Sequence, residues 1–169
     1  MNSYPFNETP IRVKKGEILQ MAGKSQAQSY AVVKGLLRSY MIDQKGKEHI
    51  FMFAPEGWII GDVHAASSQT STRLFIDVLE DSEIVPIRRS IDELSLEDLK
   101  YGLVKALKRV GVLQNRVIMQ MSSSAWERYQ YFIDVYPDLL SRVPQKMIAS
   151  YLGITPQALS RIRGEWARS

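Results

Sequence analysis

Near the C-terminal end of the sequence, Gln157, Ser160 and Arg161 recur at a spacing that gathers them on one face of a helix. Their hydrogen-bonding groups are those that read base edges. An arginine fork spans guanine O6 and N7, a glutamine amide spans adenine N6 and N7, and a serine hydroxyl serves either. Arg142, Lys146 and Arg163 stand nearby as cations suited to phosphate oxygens, and a helix N-terminus at Thr155-Pro156 adds backbone donors for the same purpose. The chemistry implied is recognition of double-stranded DNA. Lys146, Thr155, Pro156, Gln157, Ser160, Arg161 and Arg163 are the candidate contacts, with Gly164 further round the same helix.

Such a face has to be held out by a second helix, and the sequence supplies one. Pro144 suits the first turn of a helix whose buried side is Ile148, Ala149 and Leu152, with Ala149 small enough for a close crossing. Gly153 can adopt the positive φ that ends this helix sharply. Thr155 caps the next helix, Pro156 takes its first position, and Leu159 and Ile162 form its buried side. Cap, glycine and apolar positions fall in register for two helices joined by a tight turn, a helix-turn-helix over roughly 144–163. A plain αα-hairpin shows the same glycine and apolar positions; the polar outward face is what favours DNA.

Charge supports this placement. The 169 residues carry a net +4 and a pI near 9.3, a modest excess on its own. From Arg142 onward, however, the charges are Arg142, Lys146, Arg161, Arg163 and Arg168 against the single acid Glu165, while 77–97 is locally acid-rich. There is no cysteine, which excludes disulfides, thiolate-held iron–sulfur clusters, thiol nucleophiles and thiolate-bound zinc from these residues. No apolar run approaches the roughly 20 residues of a membrane span, and residues 1–10 lack the pattern of a signal peptide, so a cytoplasmic location without membrane contact is expected.

The rest of the chain reads as a scaffold for these helices. Over about 11–88, short β-type runs alternate with Gly, Pro and polar clusters. The runs are Ile18 to Met21, Tyr30 to Val33, Leu36 to Ile42, Glu48 to Phe53, Trp58 to Gly61, Leu74 to Leu79 and Ser82 to Ile87, and they predict an antiparallel sandwich or barrel. Ser90, with Glu93 three residues on, predicts the start of a short helix. A long helix follows over about 96–121. Its apolar positions Leu99, Leu103, Ala106, Val110, Leu113 and Val117, then Met121 one step late, alternate in fours and threes. That spacing favours a homodimer seam over packing on the β domain; Lys100, Lys105, Lys108, Arg109 and Arg116 form the opposite, basic face. Ser122-Ser123-Ser124 reads as a hinge and N-cap, and Trp126, Tyr129, Phe132 and Ile133 as the core face of the next helix, which ends at Pro137. The expected organisation is a β domain over 1–95, a dimerisation helix over 96–122 and a helix-turn-helix domain over 123–169.

This order of elements resembles the Crp/Fnr family of transcription regulators. Specific stretches carry the likeness: 13–19 (VKKGEIL), 33–38 (VKGLLR), 78–83 (VLEDSE) and, most specifically, 148–156 (IASYLGITP) running on to 159–163 (LSRIR). The helix-turn-helix looks like the branch common in Bacteroidetes-type bacteria. The resemblance implies an α+β architecture with an N-terminal cyclic-nucleotide-binding-like jelly roll, a dimerising long helix, a homodimer on DNA and RNA polymerase as a further partner. It puts the family's base-reading positions on Pro156, Gln157 and Arg161; of these, Arg161 keeps the family's arginine, and Gln157 stands where a glutamate is common.

Two departures follow from the same resemblance. Cyclic-nucleotide-binding members hold the sugar with a Gly-Glu pair and the phosphate with an arginine; the matching region here is Gly61-Asp62-Val63 through Thr72-Arg73. Asp62 is a methylene short of glutamate. The arginine position falls on Thr72, and Arg73 beside it points to the opposite face of a strand. A buried phosphate there would lack its charged partner. This argues against cyclic AMP and leaves the effector, if the pocket has one, unassigned. The family also often adds a β-hairpin wing after the recognition helix, for which the sequence shows no counterpart before Ser169; affinity is then expected to lean on the dimer and on Arg163 and Arg168.

Other chemistry finds little support. His49 and His64 have no companions at metal-ligand spacing; His64 is the candidate axial ligand if haem were sensed as in some relatives. No phosphate-binding loop, nucleophile elbow or zinc motif is present, so no enzymatic activity is expected. The competing reading is a ligand-sensing β-roll whose C-terminal helices bind a protein partner instead of DNA.

Overall fold

The computed structural model describes residues 9–87 and 95–166. The proposed cap at Ser90 and Glu93, the N-terminal segment before residue 9 and Arg168 lie outside the described residues. The chain divides into two compact units, 1–106 and 107–169.

Among the described residues of the first unit, eight antiparallel strands form two four-stranded sheets. They are β1 (Ile11–Val13), β2 (Ile18–Gln20), β3 (Ser29–Lys34), β4 (Leu37–Ile42), β5 (Glu48–Ala54), β6 (Ile59–Gly61), β7 (Phe75–Val78) and β8 (Ser82–Ile87). One sheet has the order β1-β8-β3-β6 and the other β2-β7-β4-β5. This α+β architecture is the one expected from the spacing of apolar runs, and seven of the strands lie on runs read in the sequence. The core explains why those runs look as they do. Val32 and Ile84 are paired in register and point between the sheets, where Val13, Leu37, Met52, Ile60, Ile76 and Val78 meet them. Their neighbours Ala31 and Val85 point to the other face, packed by Val33, Ile59, Ile87 and Tyr101. A strand buried on both faces loses its alternation, hence the unbroken Tyr30-Ala31-Val32-Val33.

Outside this core, Arg38 on β4 is buried against acids on two neighbouring strands. Its Nε and Nη2 donate to the two carboxylate oxygens of Asp77 at 2.8 and 2.9 Å, and its Nη1 to Glu48 at 2.8 Å. Burial opposes its charge, and the bonds to Asp77 and Glu48 outweigh that, so the guanidinium is held above its ordinary pKa.

Among the described residues, six helices accompany the strands: α1 (Val63–Ser68), α2 (Leu96–Ser122), α3 (Ala125–Val135), α4 (Leu139–Arg142), α5 (Gln145–Leu152) and α6 (Pro156–Trp166). Helix α1 carries His64. Its cause is Asp62, whose carboxylate caps the helix in a way that no apolar period reveals. In the first unit, Tyr101 of α2 packs on the β3–β8 face, and Lys105 donates to Gly57 O at 2.9 Å. No helix of the described residues is long and apolar enough to cross a membrane.

Candidate nucleic-acid interface

The second unit is built around an aromatic cluster. Ser124 caps α3 with a full capping box, its hydroxyl accepting from Glu127 N while the Glu127 carboxylate accepts from Ser124 N at 2.7 Å. Those bonds from Ser124 hold the Glu127 carboxyl below its ordinary pKa. Tyr129 and Phe132 of α3 are buried, and the Phe132, Tyr136 and Tyr151 rings meet at centroid distances of 5.4 to 5.7 Å. These rings are core.

Helices α5 and α6 pack on this cluster as the sequence pattern requires. Pro144 occupies the N-cap of α5, one residue before the first turn expected for it. Ile148, Ala149 and Leu152 are buried, and Ala149 is the small residue at the crossing. Gly153 ends the helix at φ +69°, in the left-handed region, and its N–H and that of Ile154 turn back onto Ala149 O. Thr155 Oγ1 accepts from Ala158 N at 3.1 Å and caps α6, with Pro156 in first position. Leu159 and Ile162 are buried beneath.

On the opposite side of α6, Pro156, Gln157, Ser160 and Arg161 are all exposed, as are Thr155 and, on α5, Lys146. Arg163 and Gly164 are half-buried, as is Arg142. Arg161 Nε lies 4.0 Å from Glu165 Oε1 with both side chains about three-quarters exposed, too loose a pair to hold the guanidinium back. The arrangement is a polar face on a rigid helix, with the donors of the α6 N-terminus at its edge.

Three further side chains belong to this construction. Arg116 Nη2 of α2 donates to Tyr151 O at 2.8 Å, with the guanidinium 4.0 Å from the Tyr151 ring centroid. Gln120 Nε2 donates to Leu152 O at 3.2 Å, and Arg128 Nη1 of α3 donates to the same carbonyl at 3.0 Å. Burial pushes the Arg116 guanidinium below its ordinary pKa, against the pull of Tyr151 and Tyr136. Arg116 is thus not one of a solvated basic row. Nothing local in the sequence marks it, because its partner lies 35 residues away.

The seam positions divide. Leu99, Leu103, Ala106, Val110 and Val117 are exposed, whereas Leu113 is half-buried. The exposed apolar stripe of α2 instead includes Val104, Leu107, Ile118 and Met121, the last 81% exposed.

In the first unit, the cassette-like residues form a closed arrangement. Asp62 is 4% exposed; its Oδ1 accepts from Ala65 N at 3.1 Å, and its Oδ2 from Arg73 N at 2.8 Å and Leu74 N at 3.2 Å. Thr72 is 3% exposed; its hydroxyl accepts from Lys24 N at 3.0 Å and donates to Met21 O at 2.9 Å. Gly61 lies so close to β3 that a Cβ there would sit 2.2 Å from Ser29 Oγ. Val63, His64 and Arg73 are exposed, and Thr72 and Arg73 lie before the start of β7 rather than on a strand, so the expected pleat does not govern them. His49 Nε2 meets Asp43 Oδ2 at 2.8 Å at the β4–β5 hairpin. Among the described residues, no group of three or more His, Asp or Glu is gathered to hold a metal ion.

No protein-family model matches the sequence. Curated relatives do. The chain is 27% identical to electron transport regulator A of Shewanella oneidensis, and 26% identical to the fumarate and nitrate reduction regulatory proteins of Yersinia pestis and Escherichia coli K12. Each match covers 93% of this chain and 68% of the relative. Among solved structures, a Crp/Fnr-family transcriptional regulator from Thermus thermophilus superposes with a TM-score of 0.75 at 15% identity, over 95% of this chain and 86% of that one. FixK2 from Bradyrhizobium japonicum gives 0.75 at 21% identity, over 95% and 85%. The curated relatives are regulatory proteins by name, and they do not single out a branch. By sequence the chain is similar to these regulatory proteins, and its fold is that of the Crp/Fnr-family regulator from Thermus thermophilus.

Proposed function

We propose that the chain is a cytoplasmic, homodimeric regulator that reads the major groove of double-stranded DNA with α6 and pairs through the exposed stripe of α2. The observation that carries this reading is the division of α6 into two faces. Leu159 and Ile162 fix the helix to its unit, and Gln157, Ser160 and Arg161 stand free beside the capped N-terminus. Lys146 and the α6 N-terminus supply the phosphate contacts, and RNA polymerase is the further partner such a regulator implies. The stripe from Leu103 to Met121 supports pairing, since so many apolar side chains on one helix face favour a partner surface over solvent.

The β unit works without the cyclic-nucleotide cassette. Asp62 and Thr72 already bond the backbone of their own unit, so a ribose or phosphate would have to displace those bonds.

Selection of genomic fragments on purified protein tests the reading. A palindromic site with half-sites about one helical turn apart is expected, with log affinity falling steeply as log salt rises. In the same assay Val110→Glu lowers the sedimenting mass and operator binding together. No enrichment at any salt would favour a protein partner for the C-terminal helices, and an unchanged mass would remove α2 from the dimer.

A further inference from the structure

Building on the DNA-reading function proposed above, we infer that Arg116, Gln120 and Arg128 form a clamp that fixes the recognition helix to the seam helix. An α-helix leaves its last four carbonyls without intrahelical partners. In α5 every one of them is bonded. Ala149 O and Ser150 O receive the N–H groups of Gly153 and Ile154, as a glycine turn provides. Tyr151 O and Leu152 O receive instead the side chains of Arg116, Gln120 and Arg128, which come from α2 and α3. Arg128 Nη1 also donates to Gln120 Oε1 at 2.9 Å, so the two helices that supply the clamp are tied to one another.

Water would satisfy exposed carbonyls at no cost in side-chain freedom, whereas holding three long side chains opposes their rotamer entropy. The clamp is favoured because two guanidinium groups sit at the negative pole of α5 and make charge-assisted bonds there. Arg116 adds its stacking on Tyr151, whose ring belongs to the core cluster. The Gly153 turn approaches closely as well: a Cβ on Gly153 would stand 3.2 Å from Gln120 Oε1.

Position gives the clamp its consequence. Arg116 and Gln120 are one turn apart on a face of α2 different from the exposed Val110, Val117, Ile118 and Met121. The same helix therefore holds the helix-turn-helix on one side and offers the apolar stripe on another. Gly153 is three residues from Pro156, so fixing the end of α5 fixes the start of α6. In a dimer paired through α2, the clamp sets the angle between each reading face and the two-fold axis, and hence the half-site separation that both faces can meet. One inserted base pair turns the second half-site by about 34°.

The test uses the full chain, whose lack of cysteine gives no labelling background. Spin labels at Asn115→Cys on α2, exposed and away from the apolar stripe, and Gln145→Cys on α5, in dimers diluted with unlabelled chains, report the distance between those helices. A narrow distribution is expected with the clamp intact. A broadened one is expected in Gln120→Ala with Arg128→Lys, and separately in Arg116→Lys, with helicity and the melting transition retained. On DNA, the native chain prefers its selected operator over one lengthened by one base pair between half-sites by about tenfold or more, and the variants by less than about twofold, with random-sequence binding unchanged. An unchanged distribution in both variants overturns the clamp. Broadening with the spacing preference preserved overturns its role in half-site geometry. A native chain without any sequence preference would instead defeat the DNA reading, and the distance measurement would still decide the clamp.

Discussion

The segment from Asp62 to Thr72 and the helix that begins at Pro156 carry comparable sets of polar side chains, and the two differ in where those side chains bond. Asp62 and Thr72 are buried and bonded to five backbone groups of their own unit. Gln157, Ser160 and Arg161 are exposed, with only a loose pairing of Arg161 to Glu165. A polar residue in a family's ligand position is available to a ligand only if the chain has not already bonded it. The polar groups of the first region are taken up in its own fold, and those of the second are left open for the recognition proposed above.

Substitutions on each side sharpen that contrast. The largest effect is expected from Asp62→Ala, which strands buried N–H groups of Ala65, Arg73 and Leu74. It costs about 2–4 kcal/mol of stability and lowers the thermal transition of the unit by on the order of 10 °C or more. A transition unmoved in calorimetry would mean that Asp62 is free for a ligand after all. Arg161→Ala should leave the melt in place and weaken operator binding by about 1–3 kcal/mol, relaxing one base pair per half-site while random DNA binds as before. Equal loss on both DNAs would make Arg161 a phosphate contact. The smallest effect is expected at the hinge before α3. The Glu127 carboxyl is held down by its bonds to Ser124, so its folded pKa lies below its unfolded one. Its contribution is complete above the unfolded pKa and is lost as pH falls through the lowered folded value. Glu127→Gln should flatten the acid limb of stability in that window, and an identical limb would show that the capping box carries no weight.

Much of this was legible in the sequence because it is written locally. Period-two runs, the Ser124 cap, Gly153 and the pair Thr155-Pro156 each act within a few residues of themselves, and strands and helices formed where they point. What stayed hidden depends on distance along the chain. Helix α1 rests on a carboxylate that also reaches Arg73 N, and the end of α5 rests on Arg116, which composition makes look like one more solvated cation.

The uncovered stripe on α2 has a consequence for how much of this protein a cell must make. Leu103, Leu107, Val110 and Val117 each remain more than half exposed on a lone chain. Under the proposed pairing, their burial is an association equilibrium, so stability and operator occupancy both rise with the amount of chain present. Below the dissociation constant, newly made chains carry a bare apolar ridge that chaperones and proteases recognise. Such a protein senses its own abundance, and its regulatory output has a threshold set by that ridge.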